Sequence, residues 1–433
     1  MKKVINLSFI FLLTTAVFLS SCKKEYGNFN SPTIEDYLKN ASKDQLNGLV
    51  TGALSGMRNN EGTYLDVVGV IGREMYRFSN ADPRYVTELL GSAPLNNTGF
   101  YITNPWSSRY RAIKNCNVII DAATNSTLIS DDEKKGYYGF AKTLKAYELL
   151  LNLNLTYTNG IRVDVADPNN LGPILRFDES IAAIANLLDE AQSDLSLANV
   201  VYTLTGGFTG FTDAAGFIKF NRALAARVAV YREKWSDAIT DLNASFFNLN
   251  GDFQTGVWEI FSTAAGDQLN PAFFPENQNG EVRLSHPSYA ADIEESDDRI
   301  SKTSLRETPS SNAGLSSDRD IWVYTSSIAP IPIIRNEELI LIYAEANIQT
   351  DNLNAAVSAL NIIRQGHNLE DYGGPVTKDA LINEMLMQRR YSLFYEGHRW
   401  IDMRRYNKLA ELPIDRAGDQ VWSALLVPLT EGE

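Results

Sequence analysis

The sequence predicts a mainly α protein assembled from helix pairs, interrupted by one long irregular insertion. Three observations carry this reading. Apolar residues recur at helical spacing over much of the chain, as with Ile382, Met385, Leu386 and Leu393, which places them on one helix face. Two segments, LAARVAVYREKWSDAIT and LIYAEANIQTDNLNAAVSAL, share a pattern of small residues. Ala226 precedes Trp235 by nine positions and Ala238 follows three later; Ala344, Leu353 and Ala356 repeat those offsets. Small residues so placed let antiparallel helices approach closely, as in tetratricopeptide pairs. Between the two copies, from about Gly251 to Pro332, turn-forming residues alternate with Trp258, Phe261, Phe273, Phe274, Tyr289, Trp322 and Tyr324. Disordered segments are poor in aromatic residues, so this stretch reads as an ordered, loop-dominated layer with a few short strands such as DIWVYTS.

In chain order, Lys2 and Lys3 precede an apolar run from Val4 to Leu19 and then Leu19-Ser20-Ser21-Cys22. A basic start, a short apolar core and small residues describe a secretory signal over residues 1–21. Leu-Ser-Ser-Cys fits the lipobox of bacterial lipoproteins, which predicts lipidation of Cys22. A soluble domain would then hang from the membrane by acyl chains, each buried methylene adding about 0.8 kcal/mol. Residues 22–32 read as a tether and 33–433 as the helical domain. Residues 33–58 give one or two helices, and residues 59–104 a loop-rich stretch. Helices follow over 105–123, with Pro105 at the first position, over 131–157, with Ser130 and Glu133 as a capping box, and over 178–197.

Charge and cysteine usage narrow the class. The formal net charge of -14, more negative once Lys2 and Lys3 are removed, argues against a nucleic-acid partner and against binding to anionic lipid through charge. Only Cys22 and Cys116 are present, so lipidation of Cys22 leaves no disulfide. Cys116, within IKNCNVII, reads as a buried, inert thiol. The three histidines are scattered, and no metal-ligand, nucleophile-elbow or phosphate-loop motif occurs, which predicts a non-enzyme without cofactor or metal.

The densest charge lies near the C-terminus, in NEMLMQRRYSLFYEGHRWIDMRRYNKL. A helix should end at Gly397 and a second short one follow. Glu396 and Asp402 stand among Arg389, Arg390, Arg399, Arg404 and Arg405. Guanidinium forks bind carboxylates at two points and join helices at a fixed angle. Five arginines would also keep both carboxylates ionised, unsuited to acid catalysis. Arg389, Arg390, Glu396, Arg399, Asp402 and Arg405 are therefore expected to form a structural clamp.

This segment resembles the C-terminal signature of the SusD/RagB family of outer-membrane nutrient-binding lipoproteins, through Arg389, Arg390, Leu393, Glu396, Gly397, Arg399, Asp402, Arg404 and Arg405. IPIIRNEELILIYAEANI resembles a second family run through Arg335, Glu338, Leu341, Ala344, Glu345 and Ala346. Gln388 and Ser392 depart from the family's usual glutamates, which should weaken the ion-pair network. The resemblance implies a right-handed superhelix of tetratricopeptide-like pairs with an irregular layer that carries the ligand. It also implies a lipid-anchored protein, exposed on the cell surface at the outer membrane, which passes a nutrient, commonly an oligosaccharide, to a SusC-like TonB-dependent transporter. Peptide capture within the same family and a helical scaffold without small ligand are the alternatives.

A sugar ring offers C–H bonds on one face and hydroxyls at its rim, so aromatic rings beside Asn, Asp or Arg suit it. Two stretches supply that mixture, giving Asn80, Asp82, Arg84, Tyr85 and Tyr101, then Trp258, Tyr289 and Trp322, as candidate ligand residues.

Overall fold

A computed structural model describes residues 34–432. The signal segment, Cys22 and the tether lie outside the described residues. Helix α1 (Ile34–Asn40) and α2 (Lys43–Met57) divide the first helical stretch in two. Ser42 caps α2 and Gln45 returns the bond, a reciprocal box that satisfies two orphan donors. The expected loop over 59–104 is corrected by α3 (Glu61–Ile71), which is buried on nearly every side. A helix apolar all round has no stripe, so its periodicity is invisible in the sequence. Strand β1 (Met75–Phe78) follows.

Helix α4 (Phe100–Asn125) begins before Pro105, which lies inside it. Burial of Tyr101 and Ile102 extends the helix toward its N-terminus, and the proline costs only one local hydrogen bond. Helix α5 (Asp131–Thr156) carries the Ser130–Glu133 capping box. A two-stranded hairpin, β2 (Ile161–Arg162) and β3 (Ile174–Leu175), leads to α6 (Phe177–Leu195). Gly139 of α5 packs against Leu195 at the far end of α6, where any Cβ would lie 2.3 Å from that side chain. The two helices are thus antiparallel and closely spaced.

The small-residue echo resolves into two such hairpins. Helix α7 (Ala214–Tyr231) pairs with α8 (Trp235–Ala244). After the insertion, α10 (Asn336–Gln349) pairs with α11 (Leu353–Gly366). Trp235 and Leu353 each open the second helix of their pair. Ala226, Ala238, Ala344 and Ala356 are all fully buried. Arg227 and Glu338 join the pairs through a buried two-point contact at 2.6 Å. Cys116 is a buried free thiol, pushed above its usual range by burial. No described helix is long and apolar enough to cross a membrane.

The insertion is more regular than expected. Strand β4 (Gly256–Glu259) pairs antiparallel with β8 (Ile331–Arg335). Strands β5 (Val282–Ser285), β6 (Thr303–Asn312) and β7 (Leu315–Ile321), with the short helix α9 (Pro287–Asp292) between β5 and β6, complete a sheet in the order β1-β5-β7-β6. Its β1–β5 register, Met75↔Ser285 to Phe78↔Val282, joins two stretches some 200 residues apart.

Helices α12 (Lys378–Ser392) and α13 (Arg399–Arg405) meet at a turn in which Tyr395 and Gly397 hold φ of 58° and 86°. Asp402 binds Arg389 at 2.7 Å and Arg405 at 2.9 Å, and Arg405 reaches Glu345 of α10 at 2.7 Å. Burial raises the Asp402 carboxyl, but the two guanidinium charges outweigh it and leave it at about 2. Glu396 pairs at 2.8 Å with Arg335, at the end of β8, rather than with an arginine of its own segment. Arg390 reaches the half-exposed Asp292 at 2.9 Å and donates to Ser288 Oγ at 2.8 Å, outside the clamp. Arg399 makes no ion pair among the described residues. Burial and the neighbouring Arg390 charge lower it to about 10, so the expectation for that residue is corrected. At the two departures from the family pattern, Arg299 donates to Gln388 Oε1 at 2.7 Å and Ser392 Oγ at 2.9 Å, while Asp297 holds its charge at 2.6 Å.

Candidate functional site

Pairing of β1 with β5 brings the two aromatic-rich stretches to one edge of the four-stranded sheet. The loop before β5 lies between them, held by Arg306 donating to the Gln278 carbonyl at 2.9 Å and by the Asn277 amide donating to Asp320 at 2.8 Å. On this framework rings and guanidinium groups alternate. Trp322 packs 6.2 Å from Phe273. Arg77 lies between Phe274 at 4.9 Å and Tyr85 at 5.0 Å. Tyr85 meets Phe100 edge-on at 4.9 Å, and Arg84 covers Phe100 at 4.7 Å.

Trp322, Phe273, Phe274 and Phe100 are all half-buried, so each is fixed by packing while part of its ring stays open. Each cation–ring contact contributes about 0.5–1 kcal/mol where exposed. Polar groups line the rim. Asn80 is exposed, with its amide against the loop at Gly280. Asp82 caps the turn at 83–85 and binds Arg84 at 2.6 Å, a hydrogen bond that holds its carboxyl below the usual range. Ser79 and Arg77 both bind Glu281, at 2.7 and 2.5 Å. The result is a shallow arc of apolar rings edged by donors and acceptors with defined directions.

Residues 274–421, which include Phe274 and Trp322 of this arc and the whole α12–α13 joint, match the model of the SusD family. Over these residues the chain is similar to the SusD family. Its fold is shared with a SusD superfamily protein from Parabacteroides distasonis, 17% identical, over 91% of this chain and 97% of that one, with a TM-score of 0.69. It is shared equally with surface glycan-binding protein A from Bacteroides thetaiotaomicron, 13% identical over 91% and 97% of the two chains, with a TM-score of 0.71. The same protein in complex with laminarihexaose gives a TM-score of 0.68 at 13% identity over 90% and 97%. No functionally curated protein matches the sequence.

The SusD-like fold sorts the remaining candidates. Tyr101 is 1% exposed, and its hydroxyl joins Glu88 and accepts from the Asn96 amide at 2.5 Å. Tyr289 is 1% exposed, donates to the Arg299 carbonyl at 2.8 Å and packs 4.2 Å from Phe394. Both rings are core, because each hydroxyl finds an interior partner, and neither has a face to offer a ligand. Tyr85, 9% exposed, supports Phe100 and Arg77 from below. Trp258 is half-buried on β4, in the other sheet, where it lines a separate pocket of about 330 Å³ with Phe208 and Met57.

Four contributors were absent from the candidates: Arg77, Phe100, Phe273 and Phe274. A signal for the last two existed in NPAFFPENQNG, where prolines bracket an aromatic doublet. Proline on both sides keeps such a doublet out of regular structure and on the surface. Among the described residues no cluster of His, Cys, Asp or Glu could hold a metal ion.

Proposed function

We propose that this SusD-like chain is a surface lipoprotein whose ring-and-guanidinium arc captures an oligosaccharide and delivers it to a SusC-like TonB-dependent transporter. The observation that carries the reading is the arc itself: half-open rings held rigid and rimmed by Asn80, Asp82 and Arg84, the arrangement that a sugar's apolar face and equatorial hydroxyls need. The laminarihexaose held by one structural relative supports a glycan over other nutrients. Residues 1–21 are removed, lipidated Cys22 anchors the protein to the outer membrane and residues 22–32 act as tether. The function is binding rather than catalysis, since Glu396 and Asp402 are committed to arginines and face no cleft.

The test replaces two rings that contribute least to the core. Phe273→Ala with Trp322→Ala is expected to weaken binding in calorimetric titration against a panel of oligosaccharides and peptides by at least about tenfold, with little change in melting temperature. Unchanged affinity for every saccharide bound by the wild type would remove the arc from the site. A wild type that binds peptides alone would replace the glycan with a peptide. For the anchor, Cys22→Ala should move the protein from the membrane fraction to the soluble one.

A further inference from the structure

A second concavity lies away from the arc, on the helical side. It is a groove of about 730 Å³ between the first turn of α6, the α7–α8 turn and the end of α13, within the roughly 300–1,000 Å³ common for ligand sites. Four half-buried rings line it: Tyr157, Phe177, Trp235 and Tyr406. Gaps between helix pairs are ordinarily closed by apolar side chains that interdigitate. Here the side chains of Asp178, Arg232, Lys234 and Asn407 also face the groove, and they make no hydrogen bond or ion pair among the described residues, nor does the Trp235 indole N–H.

The backbone gives a second, independent sign. Tyr157, Glu233 and Asn407, all on the groove, hold φ of 45°, 56° and 54°. For an aromatic residue such as Tyr157, with ψ of −115°, that conformation costs about 1–3 kcal/mol, and surroundings must enforce it. They do so by clamping the ring: Arg404 stacks on it at 4.1 Å and Phe177 meets its edge at 4.8 Å. Arg405 lies 5.4 Å from the Tyr406 ring, whose hydroxyl is fixed by Glu345 at 2.8 Å. Rigid rings beside water-exposed donors and acceptors that no protein group engages suit a polyhydroxylated chain.

We infer that this groove is a second carbohydrate site, taking a short oligosaccharide segment stacked on Trp235 and Tyr406 with its hydroxyls bonded by Arg232 and Asn407. The inference rests on the glycan reading above, but it needs neither Trp322 nor Phe273. Two separate sites on one chain would hold a long or branched glycan by multivalent contact, raising retention without a tighter individual site.

The experiment compares the wild type, the arc variant Phe273→Ala/Trp322→Ala, and the groove variants Trp235→Ala and Asn407→Gly. The glycine variant keeps the left-handed backbone while removing the amide-bearing side chain. The probes are laminarihexaose, cellohexaose, xylohexaose, maltohexaose and mannohexaose, read by titration and by hydrogen exchange. The expected result is that a saccharide bound by the wild type still protects residues 230–235 and 404–407 in the arc variant, and that both groove variants lose this protection. Affinity for that saccharide should fall about three- to tenfold in each groove variant. Protection confined to the arc, with groove variants indistinguishable from wild type, would overturn the second site and leave the arc standing. A wild type that binds none of the probes would overturn both.

Discussion

At the α12–α13 joint, Arg389 and Arg405 close on Asp402, and Arg335 closes on Glu396, all within the core. At the sheet edge, Arg77 and Arg84 also pair with carboxylates, Glu281 and Asp82, but each lies in addition over an aromatic face, Tyr85 or Phe100, and both carboxylates are partly open to water. The same residue type thus works in unlike surroundings in the two regions. In the joint, low dielectric makes each charge depend on its partner, so the pairs fix geometry. In the arc, the guanidinium groups hold rings at an orientation, and water screens the exposed Arg84–Asp82 pair, so less of the fold's stability depends on it.

The largest expected effect tests the joint. Asp402→Ala leaves Arg389 and Arg405 buried without their shared carboxylate, and should cost roughly 3–5 kcal/mol of stability in urea unfolding. The arc double variant, measured alongside, should lose far less. Similar losses in the two would erase the distinction drawn between these regions.

Glu74 sharpens the comparison because it sits between them. Its carbonyl accepts from the His286 amide at 2.8 Å and one carboxylate oxygen accepts from the Tyr395 amide at 3.4 Å, while the other has no partner. Burial pushes this carboxyl up to about 8 from 4.5, against that hydrogen bond. A raised folded value means that the neutral acid is the form the fold prefers. Its contribution is therefore fully present below the unfolded value and is lost as pH rises from about 4.5 through about 8. Asp402 has the opposite sign: held at about 2 from 3.8, it stabilises above the unfolded value and that gain fades as pH falls toward 2. Glu74→Gln should accordingly flatten the decline in melting temperature between about pH 5 and pH 8, an effect of order 1 kcal/mol or more. An unaltered slope in calorimetry would mean that another group carries it.

What could be read from the sequence divides along similar lines. The Ser130–Glu133 cap, the four buried alanines of the echo and the left-handed turn at Gly397 follow from local rules of spacing and φ, and the structure has them in place, although the helix itself ends earlier, at Ser392. The commitment of Asp402 to arginine follows from charge. The choice of Arg335 for Glu396 does not, because that contact spans the chain between β8 and the joint. Helix α3 was hidden by its own burial, and the β1–β5 pairing by its sequence separation. The arc suffered most. Tyr101, Tyr289 and Trp322 all stand in the two aromatic-rich stretches, and only tertiary packing decides which ring keeps an open face. Phe273 and Phe274 marked only an ordered insertion in the sequence, and they keep part of each ring open because the loop carrying them is pinned across the sheet edge.

The smallest expected effect is also the one that separates rim from ring. Arg84 is bound to the half-exposed Asp82 at 2.6 Å, where ion pairs contribute about 0.2–1 kcal/mol, and it covers Phe100 from the water side. Arg84→Ala should therefore change stability by less than about 0.5 kcal/mol and weaken saccharide binding only about two- to fivefold, against at least tenfold for the paired ring variant. Added salt should leave the binding of a neutral saccharide nearly unchanged, since no counter-charge on the ligand is screened. A loss at Arg84 as large as that at the rings, or one that grows with ionic strength, would mean that charge rather than stacking holds the ligand. The arc would then have to be redrawn around an anionic sugar.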